Sequence, residues 1–531
     1  MDMSFKNKIF SRFPAKYISY KIKDKNKSKE IINGYKAIRK NNLFDDDFYL
    51  EKYPKVKDSK MDPLLHYIFF GFGEGKKPNN EFDGVFYKNH YDDVDINPLI
   101  HYALYGINEN RLIKPEKIDL SKFGGSDKNI LFVLHEKIGT VGGTGFLNMD
   151  IIHHLPEDYT AFILTSDGED VELWHFNSHL EKIANYPISF STDFSVIDNE
   201  DNIISQSNFD SIFFNEDLAI VYEEILSKLN ISLVHINHLI NHIFDLIDII
   251  VKKSIPFLVS LHDFYYICPS IHLVDKNCQY CDFKCDDCGG ISKDDTITND
   301  VILKKWRNLS KELLKKSSCN IAPTQSVIDL YSEIYPEIDN FMLIEHGVNI
   351  NVSSWTAKLS SKPIKVLIPG HVSPHKGSLV IKDLKKLDKN NSLELHLMGT
   401  TIPNLNKYAI NHGKYERNDF NRIVSEIKPS FSLILSTCPE TYSYTLTESW
   451  MSGLPVIASD LGALKERITS TEAGWLVDYK NVEDIYNFII NINQNDYQNK
   501  LSNISKIKFK DINEMCASYI NLYNNLTDKN V

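Results

Sequence analysis

Lys365-Val366-Leu367-Ile368-Pro369-Gly370-His371-Val372-Ser373-Pro374-His375-Lys376-Gly377 reads as a buried strand running into a glycine-bearing turn with a lysine, then a helix. Such a turn presents backbone N–H groups and an ammonium to a phosphate. Further on, Pro439-Glu440-Thr441-Tyr442-Ser443-Tyr444-Thr445-Leu446-Thr447-Glu448 follows an apolar strand at Leu433–Ser436 and leads into a helix toward Met451. Two carboxylates, Glu440 and Glu448, bracket this loop-to-helix junction. Between them lie the hydroxyls of Ser443, Tyr444 and Thr445 and the free N–H donors of a helix start. A sugar diphosphate needs such a set: one carboxylate for sugar hydroxyls, amides for phosphate oxygens, and another carboxylate for a ribose diol. A third piece, Gly453-Leu454-Pro455-Val456-Ile457-Ala458-Ser459-Asp460-Leu461-Gly462-Ala463, reads as a turn, a buried strand and a small-residue loop. Each piece alone is ordinary α/β scaffolding; the three in this order point to a ligand site.

Outward from this stretch, short apolar strands alternate with amphipathic helices. The first series is Ile130–Leu134, Ala161–Thr165, Ser211–Phe214, Leu233–Ile236, Phe257–Leu261 and Asn320–Ala322, with Leu343–Asn349 carrying the chain onward. The second is Ile364–Pro369, Leu393–Met398, Ala409–Asn411, Leu433–Ser436, Val456–Ala458 and Trp475–Val477. Strands alternating with helices predict parallel, doubly wound sheets. The expected architecture is α/β, with two Rossmann-like domains facing a cleft, at residues 127–350 and 363–531. The last helix is expected to cross back, and Asn351–Pro363 reads as the interdomain linker.

A chain of 531 residues is too long for one core, so further domains are expected. The net charge of −12 is unevenly spread. Residues 1–40 hold about +9 of it, leaving about −21 on the rest. An acidic body argues against nucleic acid as a partner. The basic segment 1–40, with Phe5, Ile9, Phe10, Phe13, Tyr17, Ile18 and Tyr20, reads either as an interfacial helix on an anionic membrane or as a solvated tail. No apolar run is long enough to span a membrane, and the start lacks the apolar core of a secretory signal. The expected location is the cytoplasm, with peripheral binding to the inner face of the cell membrane as the further reading.

Residues 41–115 contain a duplication. Phe44-Asp45-Asp46-Asp47-Phe48-Tyr49 is echoed by Phe82-Asp83-Gly84-Val85-Phe86-Tyr87. Asp62-Pro63-Leu64-Leu65-His66-Tyr67, with Gly71, is echoed by Asn97-Pro98-Leu99-Ile100-His101-Tyr102, with Gly106. A period of about 35–38 residues is that of helical repeats. Each copy predicts two short helices, with Asp62 and Asn97 as caps ahead of a first-turn proline. His66 and His101 recur with their tyrosines, which favours packing over ligation, and Asp45-Asp46-Asp47 reads as a helix start.

The segment from Lys365 to Asp478 resembles the nucleotide-sugar half of the retaining family-4 glycosyltransferases, which have the GT-B fold. Glu440 and Glu448 match that family's pair of glutamates with seven residues between them. Gly370-His371-Val372, three residues, Lys376-Gly377 keeps the frame of its phosphate loop, with His371 in place of the family's arginine. The resemblance implies phosphate binding by Lys376 and places Tyr415 in the base-contacting segment. A histidine would carry only partial charge there. In the first half, Gly142-Gly143-Thr144-Gly145 opens a helix, and the resemblance brings Gly143 and Thr144 toward donor phosphates and acceptor. His262, in Ser260-Leu261-His262-Asp263 at a strand end, would contact the donor sugar; the plain alternative is a hydrogen-bonded strand-end histidine. Glu345-His346-Gly347-Val348-Asn349 resembles the family's segment before the hinge. Residues 41–115 resemble the tandem repeats at the front of some bacterial polysaccharide glycosyltransferases.

Cys278, Cys281, Cys285 and Cys288 lie in the cysteine-rich loop 268–290, with Cys268 as an alternative ligand. Two Cys-x-x-Cys pairs can supply four thiolates to one tetrahedral zinc; free thiols are the alternative. An iron–sulfur cluster is a lesser possibility. Together these readings imply a retaining transferase that moves a sugar from a nucleoside-diphosphate sugar to a glycan or lipid-linked acceptor in bacterial surface polysaccharide synthesis. Lys376 would stabilise the leaving group, Glu440 and His262 would orient the sugar, and no catalytic metal is required. The rival readings are a GT-B phosphorylase or epimerase, and a non-catalytic scaffold.

Overall fold

The structure is a computed structural model that describes residues 13–528 except 60, 115–118, 126–127, 136–137, 139–142, 169, 187–212, 276, 284, 286–298 and 354. The chain divides into two compact units. One comprises Met1–Lys122, Asp167–Leu173 and Lys182–Phe190; the other comprises the remaining residues.

The first unit is helical over its N-terminal run. Asp45 and Asp83 cap the helices Asp46–Lys52 and Gly84–His90 through the Phe48 and Phe86 N–H groups. Asp62 and Asn97 cap Pro63–His66 and Pro98–His101, each of which continues into a π-helical turn, Tyr67–Gly71 and Tyr102–Gly106. The duplicated histidines do duplicated work. Tyr49 Oη lies 3.0 Å from His66 Nδ1, and Tyr87 Oη lies 3.1 Å from His101 Nδ1. The glycine of each copy explains itself by the same contact. A Cβ on Gly71 would lie 2.1 Å from Tyr49 Oη, and one on Gly106 would lie 2.2 Å from Tyr87 Oη. The wide π-turn and the missing side chain together admit the phenol to its histidine.

One expectation is corrected here. The described part of the basic segment is not a separate tail. Residues 14–21 and 25–40 are helices, and Tyr17, Ile18, Ile31 and Ile38 are buried with Tyr49, Leu64, Tyr87 and Ile100 in one core. Apolar positions at helical spacing fit a protein core as well as a lipid surface, and the repeats supply that core. Phe5, Ile9 and Phe10 lie outside the described residues.

Two parallel-sheet bodies follow, within the second unit except for residues 171–173 and 182–186, which belong to the first unit. The first body has β1 (Lys128–Leu134), β2 (Tyr159–Ser166), β3 (Val171–Asn177), β4 (His179–Tyr186), β5 (Ile231–Ile236), β6 (Phe257–Ser260), β7 (Cys319–Ala322) and β8 (Phe341–Leu343). Their order is β4-β3-β2-β1-β5-β6-β7-β8. The second has β9 (Ile364–Val372), β10 (Leu393–Thr401), β11 (Ile410–Asn411), β12 (Phe431–Ile434), β13 (Val456–Ser459) and β14 (Gly474–Val477), ordered β11-β10-β9-β12-β13-β14. Strands such as β5 and β12 are almost wholly buried, as expected where helices cover both faces of a sheet. The terminal helix Ile512–Thr527 returns to the first body, where Met515, Cys516, Tyr519 and Tyr523 pack with Ile130, Phe132 and Leu258.

The strands differ from expectation in two places, and residues 211–212 of the expected strand Ser211–Phe214 lie outside the described residues. Phe213 and Phe214 are not in a strand; Phe213 is wholly buried beside Phe244 and Trp306. Its apolar run serves helix packing rather than a sheet. β3 and β4, joined through Ser178 at φ 60, were not expected. β3 breaks Val171, Leu173, Trp174 and Phe176 with Glu172 and His175, and β4 opens on His179, Glu181 and Lys182, so neither shows an apolar run.

Candidate functional site

Because β9 and β12 are neighbours, the loops leaving their ends converge. After β9 the chain makes a tight turn at Pro374–Lys376, and Gly377, at φ 86, starts the helix Ser378–Leu387. A Cβ on Gly377 would lie 2.0 Å from the Leu435 carbonyl oxygen, so only glycine lets this turn sit against the end of β12. Lys376 Nζ thereby comes 2.9 Å from Glu440 Oε1, and the Ser436 hydroxyl donates to the same oxygen. Burial would raise the Glu440 pKa, but Lys376 and Ser436 outweigh it and hold the carboxyl below its ordinary value. Burial likewise opposes the charge on Lys376, and Glu440 more than restores it. The pair is therefore ionised and mutually neutralising. His375, stacked on His272 of the first body at 3.9 Å, is pushed down to about 3 by burial and by the neighbouring His272 and Lys376. The exposed His371 places Nδ1 2.6 Å from Thr400 Oγ1 on β10.

The second carboxylate stands in the helix Tyr444–Met451. Glu448 Oε2 accepts the Tyr415 hydroxyl at 2.9 Å, and Arg417 Nε lies 3.6 Å from Oε1. Burial raises the Glu448 pKa despite Arg417 and Tyr415. The Arg417 guanidinium lies 4.2 Å from the Tyr444 ring and 4.8 Å from the Phe146 ring of the first body. Phe146, Asp150, Asn349, Arg417, Tyr444 and Glu448 line a cavity of about 270 Å³. Gly143 and Thr144 open the helix Gly143–His153 that carries Phe146 and Asp150; the Thr144 carbonyl accepts from Asn148 Nδ2 at 2.8 Å.

The loop between the carboxylates is braced from behind. Ser443 sits at φ 69 just ahead of the helix, with its hydroxyl 3.2 Å from that of Thr445. Arg467 donates to the Tyr442 and Ser443 carbonyls at 2.9 and 3.2 Å and to the Thr447 hydroxyl at 2.8 Å. These bonds offset the strain of a left-handed serine.

His262 follows β6. Its carbonyl accepts the Thr441 hydroxyl at 2.8 Å, and its Nε2 lies 3.0 Å from Asn237 Oδ1. Burial lowers its pKa to about 4, so the ring is neutral near pH 7. His346 stacks beside it at 6.2 Å and against Tyr444 at 5.5 Å. Contacts thus run continuously from Lys376 through Glu440, Thr441, His262, His346, Tyr444 and Arg417 to Glu448. Arg417, Arg467, Asp150 and His272 had no role in the sequence reading. Arg417 follows Tyr415 by two residues, and its charge in that segment was the signal available.

Of the expected thiolate set, Cys278, Cys281 and Cys285 are among the described residues, as is the alternative Cys268. Cys268 Sγ lies 3.1 Å from Ser270 Oγ, and Cys285 Sγ lies 3.3 Å from the Phe283 carbonyl oxygen and 3.8 Å from Arg307. The Cys278 carbonyl accepts the Thr437 hydroxyl, and Tyr280 N donates to Tyr479 Oη at 3.3 Å. The loop is thereby tied to the second body through its backbone. Among the described residues, no three His, Cys, Asp or Glu side chains are grouped to hold a metal. Cys288 lies outside the described residues.

No curated protein matches the chain at a significant level. Sucrose-phosphate synthase of Thermosynechococcus elongatus, 14% identical, is similar over 76% of this chain and 100% of its own, with a TM-score of 0.51. Anabaena HepE in complex with UDP-glucose is 14% identical over 75% of this chain and 99% of its own, with a TM-score of 0.46. A glycosyltransferase from Rickettsia africae is 17% identical over 75% and 98%, also at 0.46. The two parallel-sheet bodies have the GT-B fold, and residues 363–495 match the family described as glycosyl transferases group 1.

Proposed function

We propose that this protein is a glycosyltransferase that moves a sugar from a nucleoside-diphosphate donor to a glycan or lipid-linked acceptor, with retention, in bacterial surface polysaccharide synthesis. The observation that carries this reading is the pair of carboxylates at the two ends of loop 439–448, held in different surroundings. Glu440 is ionised and paired with Lys376, suited to sugar hydroxyls beside a phosphate turn. Glu448 is buried on the wall of a cavity with aromatic sides, suited to a ribose diol. Departure of a nucleoside diphosphate develops negative charge on phosphate oxygens. Lys376 and the N–H groups at the start of the helix Tyr444–Met451 would stabilise that charge. Glu440 and a neutral His262 would orient the sugar. The test is incubation with a panel of sugar nucleotides and acceptor glycans. Donor-dependent nucleotide release with an α-configured product from an α-donor is expected; no release with any donor would overturn the reading.

The acceptor's chemistry bears on the first unit. The helix Pro14–Lys21 and the turn Tyr67–Gly71 expose Phe13, Tyr20 and Phe70, with Lys16 Nζ 4.9 Å from the Phe13 ring and Lys21 Nζ 5.6 Å from the Phe70 ring. Aromatic rings framed by lysines suit an anionic lipid surface. Reversing Lys16 and Lys21 to glutamate in the full chain is expected to weaken binding to anionic vesicles by at least about tenfold at low salt. Unchanged co-sedimentation would remove this face from the account.

A further inference from the structure

The charges around the donor site do not add up to what a diphosphate needs. Lys376 is already neutralised by Glu440 at 2.9 Å, and His375 and His262 are neutral near pH 7. Arg417 is the strong cation on the wall of the cavity, and it is held in an unusual way. Its Nε lies 3.6 Å from Glu448 Oε1, beyond hydrogen-bond distance, and its side chain is 40% exposed whereas that of Glu448 is 8% exposed. Its guanidinium carbon lies over the Tyr444 and Phe146 rings, 4.2 and 4.8 Å from their centroids, and Tyr444 is the first residue of the helix that follows the loop after Glu440. A guanidinium stacked on rings can slide along them without losing that contact, and its fork matches phosphate oxygens.

Resting on the donor-site reading above, we propose that Arg417 is a leaving-group residue gated by Glu448. In the empty site it occupies the Oε1 side of Glu448. When a nucleotide binds, the ribose hydroxyls take that oxygen and the guanidinium passes to the diphosphate. Recognition of the nucleoside thereby releases the cation that stabilises the departing phosphate, and Lys376 stays with Glu440 until the sugar arrives. Asp150, whose carboxyl is raised by burial with Arg417 opposing, faces the same guanidinium from the first body.

The proposal separates nucleoside binding from diphosphate binding. Titration calorimetry would compare UDP, GDP, ADP and dTDP with uridine, guanosine, adenosine and thymidine, on the full chain and on Arg417→Ala and Arg417→Lys. In the wild type, the accepted diphosphate should bind more tightly than its nucleoside, and the difference should shrink with salt. Arg417→Ala should lose about tenfold to a hundredfold for the diphosphate and under about twofold for the nucleoside. Arg417→Lys should recover part of that loss at low salt only. Equal losses for both ligands would assign Arg417 to packing and overturn the proposal, as would an unchanged diphosphate affinity. Failure of the wild type to bind any of the diphosphates would overturn the donor site itself.

Discussion

Lys376→Ala is expected to lower turnover by about a hundredfold to a thousandfold, the range for removing one preorganised donor from developing oxyanion charge. The substitution has a second consequence. It leaves Glu440, whose side chain is 10% exposed, ionised with Ser436 as its remaining side-chain donor, so the single variant should also be less stable. Lys376→Ala combined with Glu440→Gln separates the two effects. The double variant should recover thermal stability, because no buried charge is left unpaired, and it should remain inactive. Recovery of turnover along with stability would show that Lys376 acts only by holding Glu440. Steady-state rates and melting temperatures of the two single variants and the double variant complete the cycle.

The second large effect is acid sensitivity in the first parallel-sheet body. His235 and His242 are wholly buried. His235 Nδ1 lies 2.8 Å from Tyr523 Oη and its Nε2 2.8 Å from Ser260 Oγ. His242 Nδ1 lies 2.6 Å from Tyr222 Oη, and its Nε2 donates to the Leu134 carbonyl at 2.7 Å. Burial lowers them to about 3 and about 4, helped by neighbouring histidines: His262 for the first, His135 and His238 for the second. Below an unfolded pKa of about 6.5 the unfolded chain binds protons that the folded chain refuses, so stability rises with pH there and falls as pH drops. Each residue adds a slope that approaches about 1.4 kcal/mol per pH unit below 6.5, so the two together should remove about 3 kcal/mol between pH 6.5 and 5. Carboxylates enter mainly below that window. Denaturant unfolding at several pH values should show the slope, and His235→Gln should reduce it by one proton. A stability flat from pH 7 to 5 would mean these histidines titrate normally in the folded chain.

The crossing helix makes this body an example of what a sequence withholds. Tyr523 lies far along the chain from His235, and nothing near either residue announces the other. The last helix is expected to cross back; packing adds which of its residues close the first sheet, Met515, Cys516, Tyr519 and Tyr523.

Local pattern by itself determined two series of parallel strands, the turn at Gly377, the carboxylates at Glu440 and Glu448, and the capped repeats. These features are short-range: strand burial, helix caps and glycine turns depend on neighbours a few residues away. Tertiary structure decided the rest. It turned the basic segment's apolar face inward, because the repeats offered a core. It gave β3 and β4 to the sheet although neither shows an apolar run. It set Arg417 against Glu448 and Tyr444, because separate loops of one sheet end side by side. Charge and burial at a site are sums over residues distant in sequence, and only the folded chain performs that sum.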